Sequence, residues 1–243
     1  MDREPWTELA QAQGPDGESL VLRRRGGMFE IRCGGWELIS NRAYHSERML
    51  GRLGCAALPG AEGGGAPRVL IGGLGMGFTL RAALDVLPAG ARVTVAEMFG
   101  EVLAWNRFFL ASLAGRPLDD PRVEPCRTDV AALLDGAAFD AIVLDIDNGP
   151  DAPMLAGNTS LYATAGLRRL CGALVPGGRL AVWSADRSPG FEARLEACGL
   201  DWRREEVPAR GSAEDPLHAI YLATSGVSPG TRTNTSSSST RTG

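Results

Sequence analysis

The chain has 243 residues and contains no lysine, so all 25 of its basic side chains are arginines. Schiff-base enzymes and enzymes that attach pyridoxal phosphate need a lysine amine. The phosphate-binding loop of P-loop ATPases needs a lysine followed by serine or threonine. The sequence therefore excludes these three classes of protein.

The chain also has little net charge, few histidines and no long apolar run. The 25 basic and 29 acidic residues give a net charge of -4, and the arginines are scattered, so we expect no nucleic-acid partner. With two histidines, and five separated cysteines that form no Cys-x-x-Cys pair, we expect no metal site and a reducing compartment. No apolar run approaches the roughly 18 residues of a membrane span. These features predict a cytoplasmic protein that does not contact a membrane.

Residues 1–58 predict a small antiparallel β domain followed by a linking helix. Short strand-like runs at 19–24, 28–33 and 36–39 are joined by two pairs of adjacent glycines, which favour tight hairpins. Alternation places Phe29, Ile31 and Cys33 on one face of a three-stranded meander. Apolar residues at helical spacing, Leu50, Leu53 and Ala57, then predict a helix from about 42 to 58.

The rest of the chain predicts an α/β domain at 68–224, between a glycine-rich linker at 59–67 and a Ser/Thr-rich tail at 225–243. The tail contains too little apolar surface to fold and is predicted to be disordered. Within 68–224, apolar strands alternate with helical stretches, which indicates a doubly wound, mostly parallel sheet with helices on both faces. The strands are expected at 68–72, 92–97, 122–126, 139–145 and 179–184, with a hairpin at 201–207 and 218–223.

A glycine loop follows the first of these strands. Gly73, Gly75 and Gly77 fit a Gly-x-Gly-x-Gly pattern, which lets a nucleotide approach the backbone and is typical of enzymes that bind S-adenosylmethionine. Glu97 ends the second strand, where an acid can accept hydrogen bonds from ribose hydroxyls. The structural alternative is an ordinary strand-to-helix turn, with Glu97 capping the next helix.

Further acids follow the third and fourth strands. Asp129 is placed to accept from an adenine amine, or to cap the helix that starts near residue 130, and the two roles are compatible. Asp145, Asp147 and Asn148 follow a buried strand, where a carboxylate could attract a sulfonium donor, position an ammonium or take its proton. Asp147 and Asn148 are also common turn residues.

Taken together, these motifs resemble the spermidine synthase (polyamine aminopropyltransferase) family, within the Rossmann-like S-adenosylmethionine-dependent methyltransferase fold. The resemblance covers roughly residues 19–223 and includes the pair Tyr44-His45. It implies that Glu97 binds ribose, Asp129 contacts adenine and Asp145 assists attack by an amine. It also implies that Tyr44 and His45 line the acceptor pocket. A core aromatic and a surface helical residue are the alternatives for this pair.

Four positions depart from the family pattern. Gly75 stands where the family has the acid that meets the aminopropyl ammonium of the donor. Ser40 and Asn41 stand where the family has Asp-Glu, and Asn148 replaces the second acid of the loop after Asp145. Because charged hydrogen bonds contribute roughly 1.5 to 3 kcal/mol each, these losses argue against putrescine as the acceptor. Asp147 could compensate in part.

The sequence thus predicts a spermidine synthase-like transferase that moves an aminopropyl group from decarboxylated S-adenosylmethionine to a small acceptor, an amine. The alternative is a methyltransferase that uses S-adenosylmethionine itself. Without an acid at position 75, a donor that still carries its carboxylate is more plausible. A nucleotide-binding homologue without turnover is the second alternative. The family resemblance leaves a homodimer open.

Overall fold

The computed structural model describes residues 4–13, 17, 19–58, 65–146, 148–151 and 156–226. The strands in these residues are β1 Thr7–Gln13, β2 Ser19–Arg25, β3 Met28–Cys33, β4 Trp36–Ser40, β5 Arg68–Gly72, β6 Arg92–Glu97, β7 Val123–Arg127, β8 Phe139–Leu144, β9 Leu174–Ser184, β10 Asp201–Pro208 and β11 Leu217–Thr224. The α-helices are α1 His45–Cys55, α2 Phe78–Leu84, α3 Gly100–Arg107, α4 Ala156–Tyr162, α5 Thr164–Gly172 and α6 Pro189–Ala197. The predicted linker and tail lie mostly outside the described residues.

The N-terminal sheet is an antiparallel meander in the order β1-β2-β3-β4. Arg25 pairs with Met28 and Cys33 with Trp36, so both glycine pairs form the predicted two-residue turns. The predicted three-stranded meander is wrong by one strand, because the sequence analysis missed β1. The alanines and glutamines of β1 favour a strand only weakly. Pairing with β2, with an irregularity between Glu8 and Ala10, fixes that segment instead.

One face of this small sheet belongs to the main core. Leu20, Leu22 and Ile31 are at most 1% exposed, and Phe29 and Cys33 pack partly buried against the same cluster, as alternation predicted. On the other face the carboxylate of Glu30, itself buried, pairs with Arg23 and Arg32 at 3.0 and 2.7 Å. The sheet therefore docks through its apolar side.

The second sheet confirms the predicted fold class. Its order is β10-β11-β9-β8-β5-β6-β7, with parallel pairing from β9 through β7 and an antiparallel β10-β11 hairpin at one edge. Val69 and Ile71 of β5 enter one core cluster, which includes residues of α1, α2 and α3. Leu70 enters the other, which includes residues of α4, α5 and α6. Central strands covered on both faces are buried at every position, as β8 is, and its residues are apolar except for Asp140.

The linking helix is shorter than predicted. It ends at Cys55, so Ala57 is exposed and not on the helical face, while Leu50 is fully buried. The same face of α1 carries glycines where it meets the α/β domain. A Cβ on Gly51 would lie 2.2 Å from the Thr79 carbonyl oxygen, and one on Gly54 would lie 2.8 Å from Val143 Cγ2. Only glycines allow α1 to pack this closely on α2 and β8.

No helix in the described part of the chain is long and apolar enough to cross a membrane. Within the same residues, no group of three histidine, cysteine or acidic side chains is arranged to hold a metal ion.

Candidate functional site

The carboxyl ends of β5, β6, β7 and β8 meet at one edge of the larger sheet. Backbone hydrogen bonds tie these ends together: Gly73 N donates to Ala96 O at 2.9 Å, and Thr128 N donates to Glu97 O at 3.1 Å. Asp145 N donates to Gly72 O at 2.8 Å. The glycine loop, Glu97, Asp129 and Asp145 thus lie at the same edge, where open α/β sheets bind ligands.

The glycine loop requires glycine at two positions for steric reasons. Gly73 has a φ of +85°, and a Cβ there would lie 2.1 Å from the carbonyl oxygen of Asp145. Gly77, with a φ of +83°, precedes α2, and its N–H donates to Leu74 O at 2.8 Å. The loop is therefore a tight, bare backbone turn between β5 and α2.

Glu97 braces this loop. Its side chain is 7% exposed; Oε2 accepts from Leu74 N at 3.0 Å and Oε1 accepts from Phe99 N at 2.9 Å. Burial raises the pKa of Glu97, while the backbone N–H groups around it act to lower it. Since each carboxylate oxygen has two lone pairs, the carboxylate can still accept two further hydrogen bonds, as from ribose hydroxyls.

Asp129 occupies the capping position that was its structural alternative. It precedes a 3₁₀ helix at Val130–Leu133, and its Oδ1 accepts from Ala131 N at 2.8 Å. Among the described residues, none donates a hydrogen bond to its Oδ2. Capping therefore leaves one carboxylate oxygen available to a ligand.

Asp145 lies directly after β8 and is half-buried. Its Oδ2 accepts from Thr79 Oγ1 at 2.6 Å, and Thr79 Oγ1 also lies 3.1 Å from the carbonyl oxygen of Glu47. Burial raises the pKa of Asp145 to about 6, although the Thr79 hydrogen bond acts to lower it. A carboxylate with this pKa can exchange a proton near neutral pH.

Glu47 is a site residue that the sequence analysis missed. It lies on α1 and is 8% exposed, and burial and then the charge of Asp145 raise its pKa well above the usual range. The buried Glu47 and the half-buried Asp145 therefore lie close enough to interact, and the Thr79 hydroxyl contacts both residues. The available signal was helical spacing: Glu47 shares a face with Leu50, Gly51 and Gly54, where a carboxylate is out of place.

Tyr44 and His45 lie at the start of α1 but have different surroundings. The Tyr44 ring is 38% exposed and stacks on Phe78, the first residue of α2, with centroids 4.3 Å apart. Tyr44 is therefore close to the glycine loop. His45 N donates to Ala209 O at 3.2 Å, and a Cβ on Gly211 would lie 3.2 Å from His45 Nδ1. His45 thus contacts the loop after β10.

The loop after Asp145 is only partly described. Asn148 is exposed, and its carbonyl oxygen accepts from Ala185 N at 3.0 Å, which ties the loop to the end of β9. Asp147, the other predicted substrate-binding residue, lies outside the described residues.

The positions that depart from the family pattern have structural partners. A Cβ on Gly75 would lie 2.7 Å from Ile39 Cδ1, so an isoleucine methyl occupies the direction in which a side chain at position 75 would point. Asn41 accepts from Phe29 N at 2.8 Å and donates to Gly27 O at 3.0 Å, so its amide braces a hairpin. Ser40 donates to Glu37 at 2.7 Å. These residues stabilise the small β domain.

No family model and no curated protein matches this chain. Solved structures do match in shape. A probable spermidine synthase from Corynebacterium glutamicum has a TM-score of 0.60 and 16% identity over 93% of this chain and 83% of its own. Human methyltransferase-like protein 13 in complex with SAH has a TM-score of 0.54 and 18% identity, covering 79% of this chain and 86% of its own.

TrmN from Thermus thermophilus is a third such structure, with a TM-score of 0.50 and 22% identity over 74% of this chain and 48% of its own. At these identities the likeness shows the fold alone. The chain has the methyltransferase fold, with an additional N-terminal antiparallel sheet.

Proposed function

We propose that this protein is a transferase that moves an alkyl group from an adenosyl sulfonium donor to an amine. The observation that carries the proposal is the single sheet edge at which the bare glycine turn, the buried Glu97, the capping Asp129 and the half-buried Asp145 meet. Each acid has a carboxylate oxygen that can accept a further hydrogen bond, and the glycine turn has bare backbone. Each feature is suited to one part of the donor or of the acceptor.

The donor side would be formed by the glycine loop and two acids. A side chain at Gly73 would collide with the carbonyl oxygen of Asp145, so this turn consists of bare backbone. Such a backbone turn at a sheet edge is suited to bind a nucleotide. Glu97 can accept from ribose hydroxyls through its two remaining lone pairs. The free oxygen of Asp129 can accept from the adenine amine. These roles use different parts of one ligand and do not compete.

The acceptor side would be formed around Asp145. The amine nitrogen attacks the carbon bound to the sulfonium sulfur, the carbon–sulfur bond breaks, and its electron pair stays on sulfur. The proton that leaves the nitrogen passes to the Asp145 carboxylate. A free amine has a pKa near 10 and a free aspartate a pKa of about 4. Burial brings the pKa of Asp145 to about 6, which narrows the gap.

Aminopropyl transfer is the form of this reaction that Tyr44, His45 and Asp145 favour, through the family resemblance described above. Methyl transfer from S-adenosylmethionine is a second candidate, and one observation favours it. Position 75 carries no acid, and Ile39 lies where that acid would point, so the site offers the donor's aminopropyl ammonium no counter-charge there.

Calorimetric titration with S-adenosylmethionine, its decarboxylated form and methylthioadenosine tests the donor. Tighter binding of the decarboxylated donor supports aminopropyl transfer, and tighter binding of the carboxylated donor supports methyl transfer. Failure to bind all three compounds would refute the proposal. Asp145→Asn distinguishes an enzyme from a nucleotide-binding homologue. If the protein is an enzyme, the variant should bind the donor as the wild type does but lose turnover. Turnover is measured by mass spectrometry of the product amine.

A further inference from the structure

The carboxyl group of Glu47 has no hydrogen-bond partner among the described residues, although the side chain is 8% exposed. A carboxylate that is largely removed from water and accepts no hydrogen bond costs folding free energy, so such groups are normally paired. The neighbouring Asp145 increases that cost, because its charge acts on Glu47 with the same sign. Among the described residues, no cation forms an ion pair with either acid.

Glycines on α1 bring these acids together. Gly54 rests against Val143 in β8, and Gly51 rests against the Thr79 carbonyl in α2. Glu47 lies one helical turn before Gly51 on the same face, and α1 therefore carries it toward the end of β8, where Asp145 begins the loop. Larger residues at 51 and 54 would push the helix, and Glu47 with it, away from Asp145.

Thr79 links the two acidic residues through one hydroxyl. Its Oγ1 lies 2.6 Å from Asp145 Oδ2 and 3.1 Å from the Glu47 carbonyl oxygen, but the hydroxyl has a single proton. When Asp145 is ionised, Thr79 donates to Asp145. When Asp145 is protonated, Asp145 can donate to Thr79, and Thr79 to the carbonyl. The contact accommodates both protonation states of Asp145.

Most charged groups on the elements packed against α1 are engaged elsewhere; within the described part of the chain, Arg48 and Arg52 of α1 itself and Asp201 of β10 have no ion pair, and neither arginine contributes to the raised pKa of Glu47. The elements packed against α1 are α2, β8, β9, β10 and β11. Apart from Asp201, their charged groups bind other partners: Arg81 pairs with Asp85, Asp140 accepts from Arg68 N, Arg179 donates to Leu53 O and Ala56 O, Arg203 and Arg204 pair with Glu205, Glu206 and Glu192, and His218 bonds Ser46. Leu53, the nearer of the two carbonyl groups that Arg179 binds, is six residues or about 9 Å along the helix from Glu47. The acid pair thus lacks a counter-charge from these elements.

We propose that Glu47 is the second acid of the acceptor site: with Asp145 it binds an acceptor that carries a positive charge, and the pair releases a proton when that cation enters. The inference rests on the proposed function, since it places the acceptor beside Asp145, and it narrows the acceptor class to cationic amines. A hydroxyl acceptor would leave the two acids uncompensated. An ammonium group supplies the missing charge and three donors. Before transfer, this nitrogen passes one proton to the Glu47 carboxylate, which frees the lone pair that attacks, and the proton lost after attack passes to Asp145.

The first experiment is calorimetric binding of n-butylammonium, with n-butanol as the uncharged analogue, to the protein with and without methylthioadenosine. Titrations in buffers of different ionisation enthalpy count the protons released. Wild-type protein should bind the amine in preference to the alcohol and release a measurable fraction of a proton. Glu47→Gln should weaken amine binding by about tenfold or more and reduce the proton release, with methylthioadenosine affinity unchanged.

Glu192→Gln is the matched control, because Glu192 is 7% exposed and its carboxylate is held by Arg187 and Arg204. It lies on α6, which packs in a different core cluster from α1. This variant should bind the amine within about twofold of wild type. Equal amine affinity and equal proton release in wild type and Glu47→Gln would overturn the inference, as would failure of the wild type to bind the amine.

A measurement on the wild type avoids dependence on any variant folding. The infrared band of protonated carboxyl groups should be present in the free protein near neutral pH and should decrease when n-butylammonium is added. An unchanged band would overturn the inference. If methylthioadenosine does not bind, the proposed donor is wrong. If amine binding to the same protein still causes proton release that depends on Glu47, the inference about the acid pair is supported independently of the donor.

Discussion

Replacing Asp145 by asparagine should make the protein more stable at neutral pH, at the expense of turnover. Burial raises the pKa of Asp145 from 3.8 to about 6, so the folded protein binds this proton more tightly than the unfolded chain does. The resulting stabilisation is fully present below about pH 4 and is lost as the pH rises through about 6. At about 1.4 kcal/mol per tenfold change, the ionised carboxylate costs the folded state about 3 kcal/mol above that range.

Asparagine avoids this cost and keeps an oxygen that accepts from Thr79. We therefore expect the free energy of unfolding in urea to increase in Asp145→Asn relative to wild type as the pH rises from about 4 to about 8. The difference should reach about 3 kcal/mol at the upper end. Asp201→Asn, a change at an exposed acid, should run parallel to wild type. A variant that is less stable than wild type near pH 8, or that keeps the wild-type pH dependence, would refute the argument that Asp145 is a strained functional acid.

Three further predictions concern the donor side. Gly73→Ala should cost more than about 2 kcal/mol of unfolding free energy, because its Cβ would lie 2.1 Å from the Asp145 carbonyl oxygen, and urea unfolding measures this. Glu97→Gln should weaken methylthioadenosine binding about tenfold to a hundredfold, because an amide nitrogen cannot accept from a backbone N–H as the second carboxylate oxygen does; calorimetry measures this. The double change Gly75→Asp with Ile39→Ala should shift donor preference toward decarboxylated S-adenosylmethionine by about tenfold or more, by restoring a counter-charge and the space for it.

The controls use positions with a matching backbone or chemistry. Gly136 also has a positive φ, +71°, but a Cβ there meets nothing within 4 Å, so Gly136→Ala should cost only about 1 kcal/mol. A comparable cost at positions 73 and 136 would contradict the close contact. Ile39→Ala alone should not change donor preference; if it does, the counter-charge argument at position 75 is wrong.

Local sequence patterns were sufficient for most of the fold. Glycine pairs set the two hairpin turns, and apolar runs marked β5 and β8, because turn conformation and two-sided burial depend on residues close together in sequence. The edge containing Gly73, Glu97, Asp129 and Asp145 could also be predicted, since parallel strands in one sheet must end at the same edge. The roles of these residues remain predictions.

Other features could not be read from local patterns. β1 becomes a strand because β2 offers it a partner, and the composition of its own segment gives little indication of this. Asn41 aligns with an acidic position of the family. In the structure its amide forms hydrogen bonds with the backbone of Gly27 and Phe29. These residues become neighbours of Asn41 only when the hairpin forms.

The sequence by itself determined the order of the strands apart from β1, the bare glycine turn and the acids that follow the strands. The tertiary structure alone decided that the Thr79 hydroxyl joins Glu47 to Asp145 and that Ile39 fills the space next to Gly75. Both contacts arise where the N-terminal sheet and α1 dock on the α/β domain. Docking joins residues far apart along the chain through shape and close packing, which local patterns of hydrophobicity and turn residues do not encode.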